Sequence, residues 1–151
     1  MKYLVYISLF LLIACGEIRS YPDTPIITYK EFNYQDSSLV FSFIDGDGDF
    51  GFLESDTVDS ISNVFTPLFK KEDGSYVRLD TMKDGFHYRI TDIPEPQGQD
   101  KTLKGEIKIR LNWMGSMFPD TFRFKFYIID RDKNISNTDS TPDLYSALLV
   151  K

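Results

Sequence analysis

Apolar and polar residues alternate with a period of two along much of this chain, the pattern of strands that bury one face. The clearest run is residues 103–111, where Leu103, Gly105, Ile107, Ile109 and Leu111 share one face and Lys104, Glu106, Lys108 and Arg110 the other. Residues 121–129 repeat it, with Phe122, Phe124, Phe126 and Ile128 inward and Arg123 and Lys125 outward. Residues 39–44 set Leu39, Phe41 and Phe43 on one face. Residues 26–32 read as a first strand that alternates through Ile26, Thr28, Lys30 and Phe32. Residues 86–91 set Phe86, Tyr88 and Ile90 against His87, Arg89 and Thr91. Residues 63–71 and 75–80 flank Glu72-Asp73-Gly74, a hairpin turn signal. Pro67 cannot donate to a ladder, so the first of these is an edge or bulged strand. Residues 144–150 close the chain, and no segment carries a helical period.

About eight strands separated by turn chemistry predict an all-β fold, an antiparallel immunoglobulin-like β-sandwich of seven to eight strands. The aromatic content of 15%, with 13 Phe and 9 Tyr, agrees, because flat rings suit a half-buried pleated surface. A single Cys rules out the inter-sheet disulfide of antibody domains. Phe41 or Phe43, with Phe124 or Phe126, is expected to fill that volume. A length of 151 residues predicts one such domain, over residues 25–151.

The start of the chain reads differently. Lys2 precedes an apolar run over residues 3–13, of signal-peptide length and too short to span a bilayer. It ends in Leu12-Ile13-Ala14-Cys15-Gly16. This resembles the bacterial lipoprotein box, and the resemblance implies cleavage after residue 14 and acylation of Cys15. Several acyl chains, at about 0.8 kcal/mol per buried CH₂, make a stable anchor. The expected organisation is a signal peptide over 1–14, a tether over 15–24 and the domain beyond. The tether, polar with Gly and Pro, shows no periodicity. Lipoproteins displayed on the cell surface often carry several acids after the Cys, and here Glu17 alone fits. The expected location is the outer membrane, with the side it faces left open.

Charge adds a chemistry. The net charge is −6, which opposes nucleic-acid binding, since that needs a basic face. Between Lys30 and Lys70 there is no Lys or Arg, yet the stretch holds Glu31, Asp36, Asp45, Asp47, Asp49, Glu54, Asp56 and Asp59. Its centre is Asp45-Gly46-Asp47-Gly48-Asp49-Phe50-Gly51. Alternate carboxylates separated by Gly let a tight loop aim several oxygens at one point, as a hard cation such as calcium requires. The spacing is not that of an EF-hand, which places Gly sixth and Glu twelfth where this chain has Phe50 and Asp56. A metal-free turn held by side-chain to backbone hydrogen bonds is the competing reading.

A second acidic stretch, Asp130-Arg131-Asp132-Lys133-Asn134, follows the strand at 121–129. If residues 39–44 are strand B and 121–129 strand F, the two loops lie at the same end of the sandwich. Asp45, Asp47, Asp49, Asp56, Asp130 and Asp132 are then the candidate ligands of one calcium site. Arg131 and Lys133 are alternative partners for the same carboxylates. The two motifs together resemble those of small Bacteroidetes-type lipoproteins. The second is also similar to the Asp-x-Ala-Gly-Asn-x-Ser ending of bacterial Ig-like domains, with Asp132-Lys133 in place of the small pair. The resemblance implies fold and location and no activity.

Enzyme readings are poor. A hydrolytic triad would need His87, the one His, which alternation places on a polar face beside Arg89. No pair of carboxylates is marked out for glycoside hydrolysis. Trp113 and Phe118, in the loop at 112–119, are possible ligand contacts, or a cap on the open end of the core. The expected function is an interaction or scaffolding accessory of the cell envelope, partnered by the membrane through its lipid and by an envelope protein or a glycan. The alternative is a glycan-binding module of an uptake system.

Overall fold

The computed structural model describes residues 21–53, 62–79, 86–91, 93–94, 96–111 and 118–149. The signal segment, Cys15, Asp56 and Trp113 lie outside the described residues. The described strands are β1 (Ile26–Asn33), β2 (Ser38–Asp45), β3 (Val64–Thr66), β4 (Leu68–Glu72), β5 (Ser75–Arg78), β6 (Phe86–Tyr88), β7 (Leu103–Arg110), β8 (Thr121–Ile128), β9 (Asp139–Ser140) and β10 (Leu144–Tyr145). Among the described residues no helix is long and apolar enough to cross a membrane.

The strands pair antiparallel in two sheets. One has the order β1-β2-β7. The other is built on β8, with β3 and β4 in line along one side and β9 and β10 along the other. β6 and β5 continue outward from β3 and β4. Taken in line, the pairings are the A–B–E and C–F–G sets of an immunoglobulin-like sandwich, with β2 as strand B and β8 as strand F. The fold class expected from alternation is therefore the one observed.

The ten described strands exceed the expected eight by two: β9 (Asp139–Ser140), which alternation does not mark, and a split in the segment at 63–71. Pro67 has no N–H to give, so the segment at 63–71 breaks there into β3 and β4. Its carbonyl still accepts from Lys125 N at 3.1 Å, which keeps both pieces on β8. The last segment is shorter than alternation predicts: β10 covers Leu144–Tyr145 and turns into a 3₁₀ turn at Ser146–Leu148.

The phase of β1 also needs correction. The ladder with β2 shifts between Tyr29 and Glu31, so Lys30 is an extra residue in a bulge. Before the bulge Ile27 and Tyr29 point inward, and after it Phe32 does. Ile26 is 41% exposed. A bulge flips the face of everything beyond it, which strict alternation cannot register.

Between the sheets, Phe41 of β2 stacks on Phe126 of β8 at 4.8 Å, where the disulfide of antibody domains would lie. Gly105 of β7 sits opposite Phe43, and a Cβ there would come within 2.8 Å of its ring. Phe118 stacks on Phe122 at 4.4 Å and is partly buried against the core. It thus caps the sandwich, as one of its two sequence readings had it. The outer edge of β1 is closed by side chains. Ile27 N donates to Asn137 Oδ1 at 2.8 Å, and Asn137 Nδ2 donates to Ile27 O at 3.0 Å. Tyr29 N donates to Asp139 Oδ2 at 2.7 Å. These groups stand in for a neighbouring strand and tie β1 to the opposite sheet.

Phe124 is fully buried and Glu106 points to solvent. Phe124→Ala should cost about 3–5 kcal/mol in chemical denaturation, and Glu106→Ala should stay within about 0.5 kcal/mol. Equal small effects would overturn the face assignment.

Candidate metal centre

The centre grows out of strand register. On β2 the inward positions run Leu39, Phe41, Phe43 and then Asp45; just beyond β8, the row Phe122, Phe124, Phe126, Ile128 continues to Asp130. Each row of core side chains thus ends in a carboxylate. Asp45 is fully buried and Asp130 nearly so, at 3% exposure. A charge at an inward position needs compensation, because desolvation disfavours the ionised form.

The loop after β2 is shaped by three contacts. Phe50 is buried, packs on Phe43 at 4.9 Å, and its N–H donates to Asp45 Oδ2 at 2.8 Å. Gly46 N donates to Pro22 O at 3.1 Å, so close that a Cβ on Gly46 would lie 2.4 Å from the same oxygen. Gly48 has φ +73° and presses on Lys101 O, where a Cβ would come within 2.1 Å. Both glycines are therefore required by close approach, and Gly48 by its left-handed φ as well.

The loop after β8 folds on itself. Asn134 donates twice to Asp130, from its backbone N at 2.7 Å and its side-chain Nδ2 at 2.9 Å. Lys133 takes a left-handed conformation, φ 70°, which allows the tight reversal. The two loops then meet: Asp132 N donates to Asp49 Oδ2 at 3.0 Å. The convergence inferred from the strand B and F assignment is thus observed.

Two overlapping acidic groups result. Oxygens of Asp45, Asp49 and Asp130 lie within 4.8 Å of one another, and so do oxygens of Asp47, Asp49 and Asp132. Two ligand oxygens across a cation with bonds of 2.3–2.6 Å are at most about 5 Å apart, so both groups have the spacing of a shared ion. Asp45 Oδ1, Asp47 Oδ1 and Asp49 Oδ1 are each buried without a hydrogen-bond partner. Such oxygens are costly unless a proton or a cation meets them.

The protonation energetics agree. Burial, with the carboxylates of Asp47, Asp49 and Asp130 adding to it and the Phe50 amide opposing it, pushes Asp45 up to about 7. Burial and the charges of Asp130 and Asp47 push Asp49 up to about 6. Asp130 is raised chiefly by burial, against the Asn134 bonds. The expected salt-bridge alternative finds no support in Lys133, which forms no ion pair with these carboxylates among the described residues. Arg131 lines a small recess beside Asp47 and Gly48.

Five of the six expected ligand residues therefore come together, Asp132 being the most exposed; Asp56 lies outside the described residues. The arrangement can hold a metal ion. Two parts were missed from sequence. Asn134 holds Asp130 in place instead of merely adding an oxygen, and Phe50 anchors the loop in the core. An apolar residue directly after the acidic run was the available signal for Phe50. Compared with known protein families, curated proteins and solved structures, the chain matches none.

The sign of the pH dependence follows. A carboxyl whose folded-state pKa is raised keeps a proton that the unfolded chain gives up, so its stabilisation is full below about pH 4 and is lost as pH rises through its folded pKa. Asp36 and Asp143 are lowered and act in the opposite sense, below that window. In a chelating buffer the protein should therefore melt at a lower temperature at pH 7.5 than at pH 5. A Tm that is flat or rising over that interval would contradict the burial of an uncompensated carboxylate cluster.

Proposed function

We propose that this chain is a lipid-anchored immunoglobulin-like domain of the cell envelope, with a loop end stiffened by calcium, serving as an interaction or scaffolding accessory. The observation that carries the calcium reading is the set of buried, unpartnered oxygens of Asp45, Asp47 and Asp49 where the two loops converge. Calcium suits it better than magnesium. Calcium accepts six to eight oxygens in flexible geometry, whereas magnesium keeps its waters and rarely enters an all-protein cage. The ion would replace the repulsion among four or five carboxylates with attraction, joining the strand B and strand F loops into one rigid edge.

The anchor reading is supported by the apolar run at 3–13 and by Leu12-Ile13-Ala14-Cys15. The outer membrane is the proposed location. Glycan binding is a second reading with its own support. A row of rings, His87, Phe65 and Tyr127, crosses the outer face of the β8 sheet.

A cation that binds only the folded state adds RT ln(1 + [L]/Kd), about 2.7 kcal/mol at a hundredfold excess over Kd. Sites of extracellular type bind at about 10⁻⁴–10⁻³ M, so millimolar calcium should raise the Tm of the full-length protein and EDTA should lower it. Asp45→Asn should remove this response and, at pH 7.5 in EDTA, melt above wild type, because it deletes a buried charge while keeping the Phe50 bond. Asp132→Asn should weaken the calcium response without that gain. A Tm unmoved by calcium up to about 10 mM, against a salt-matched control, would leave a metal-free turn.

The anchor has its own test. Cys15→Ser should abolish lipid labelling and release the protein from membranes or leave it unprocessed in cell fractionation. A lipidated, membrane-bound Cys15→Ser variant would refute the anchor.

A further inference from the structure

The outer face of the β8 sheet carries chemistry that the metal centre does not use. His87 of β6, Phe65 of β3 and Tyr127 of β8 are direct cross-strand neighbours. Phe65 stacks on Tyr127 at 4.9 Å with planes 7° apart, and His87 meets Phe65 edge-on at 5.3 Å. The rings lie in an open groove of about 930 Å³. Arg78 and Lys133 line it as cations, and Asp130 closes its end next to the metal centre. Among the described residues Arg78 and Lys133 form no ion pair. In a chain of net charge −6, unpaired cations grouped around an aromatic floor form a local inversion of sign.

We propose that this groove binds an acidic saccharide, a uronate-containing oligosaccharide, lying along the Phe65–Tyr127 stack with its carboxylates on Arg78 and Lys133. The inference deepens the glycan-binding reading and does not depend on the calcium reading. Charge complementarity sets the sign of the ligand, since cations beside rings attract a carboxylate that also presents an apolar face. The position of the groove favours a saccharide over an acidic peptide. β3 and β8 are both paired on two sides, so the Phe65–Tyr127 pair offers no strand edge for an extended peptide to extend; the edge strand on this side of the sheet is β6. Recognition must then run through side chains. The same outward row explains why Phe65 and Tyr127 are aromatic at positions where a solvent-facing strand residue is ordinarily polar.

The test is a calorimetric titration of the full-length protein with a panel of glucuronate and galacturonate oligosaccharides, their carboxyl-reduced counterparts and poly-glutamate. It is run at low salt with calcium and again in EDTA. The expected result is binding of at least one uronate oligosaccharide, at least tenfold weaker after carboxyl reduction, and equal with and without calcium. Tyr127→Ala and Arg78→Ala should each weaken it at least tenfold while keeping the wild-type calcium-induced rise in Tm, which separates this site from the metal centre. Equal binding of the reduced sugars would overturn the acidic-ligand inference and leave glycan binding standing. Binding of no saccharide, or tighter binding of poly-glutamate, would overturn both. Affinity unchanged in both variants, or lost in EDTA while the protein stays folded, would place the ligand elsewhere and overturn the groove assignment.

Discussion

The two-residue register of β2 and β8 is the constraint on which the rest of this molecule depends. Along each strand the inward positions are apolar until the last, and the last is Asp45 or Asp130. The apolar part of each row supplies the inter-sheet packing, centred on Phe41 against Phe126. The final position carries the same inward geometry into a place where the side chain is an acid. The acidic centre is thus an extension of the core's own periodicity, placed where facing strands of the two sheets end side by side.

That placement sets a tension between stability and charge. Burial makes the oxygens well ordered and costly together. Part of the cost is met by the chain: the Phe50 amide on Asp45, the Asp132 amide on Asp49 and the two Asn134 bonds on Asp130. The oxygens left over on Asp45 and Asp49 belong to carboxylates held in position by these contacts, and Asp47 adds a third buried oxygen without a partner. Loops built this way are preorganised for a cation, since Gly46 and Gly48 are already pressed against Pro22 and Lys101. Ordering entropy is spent in folding and need not be spent again on binding.

Charge is also segregated over the surface. Acidic groups gather at the loop end, while Arg78 and Lys133 stand with the ring row on the outer face of β8. A different cluster ties the far side together: Asp143 accepts from Lys71 and Arg123, each at 2.7 Å, and from the Tyr76 hydroxyl. The Arg123 guanidinium lies 3.6 Å from the centre of the Tyr76 ring. These cations hold Asp143 well below the usual carboxylate range. It is a structural clasp between β4, β5, β8 and the segment before β10, built from side chains 20 to 72 residues apart.

Local pattern was enough for the fold class, for the inward faces of β2, β7 and β8, and for the acidic loops, because alternation and Gly-Asp spacing are written between neighbours in the chain. It was also enough to infer that the two loops meet, once strands B and F were recognised by their order. The bulge at Lys30, the break at Pro67 and the shortness of β10 depend on which groups the partner strand offers, and these escaped it in whole or in part. The ring row escaped it too, because His87, Phe65 and Tyr127 belong to three strands and become neighbours only through pairing. Sequence alone determined that this chain would make strands with acids at their ends. Only the tertiary structure decided which acids share a site and which rings share a groove, since register and sheet order bring together residues that no spacing along the chain connects.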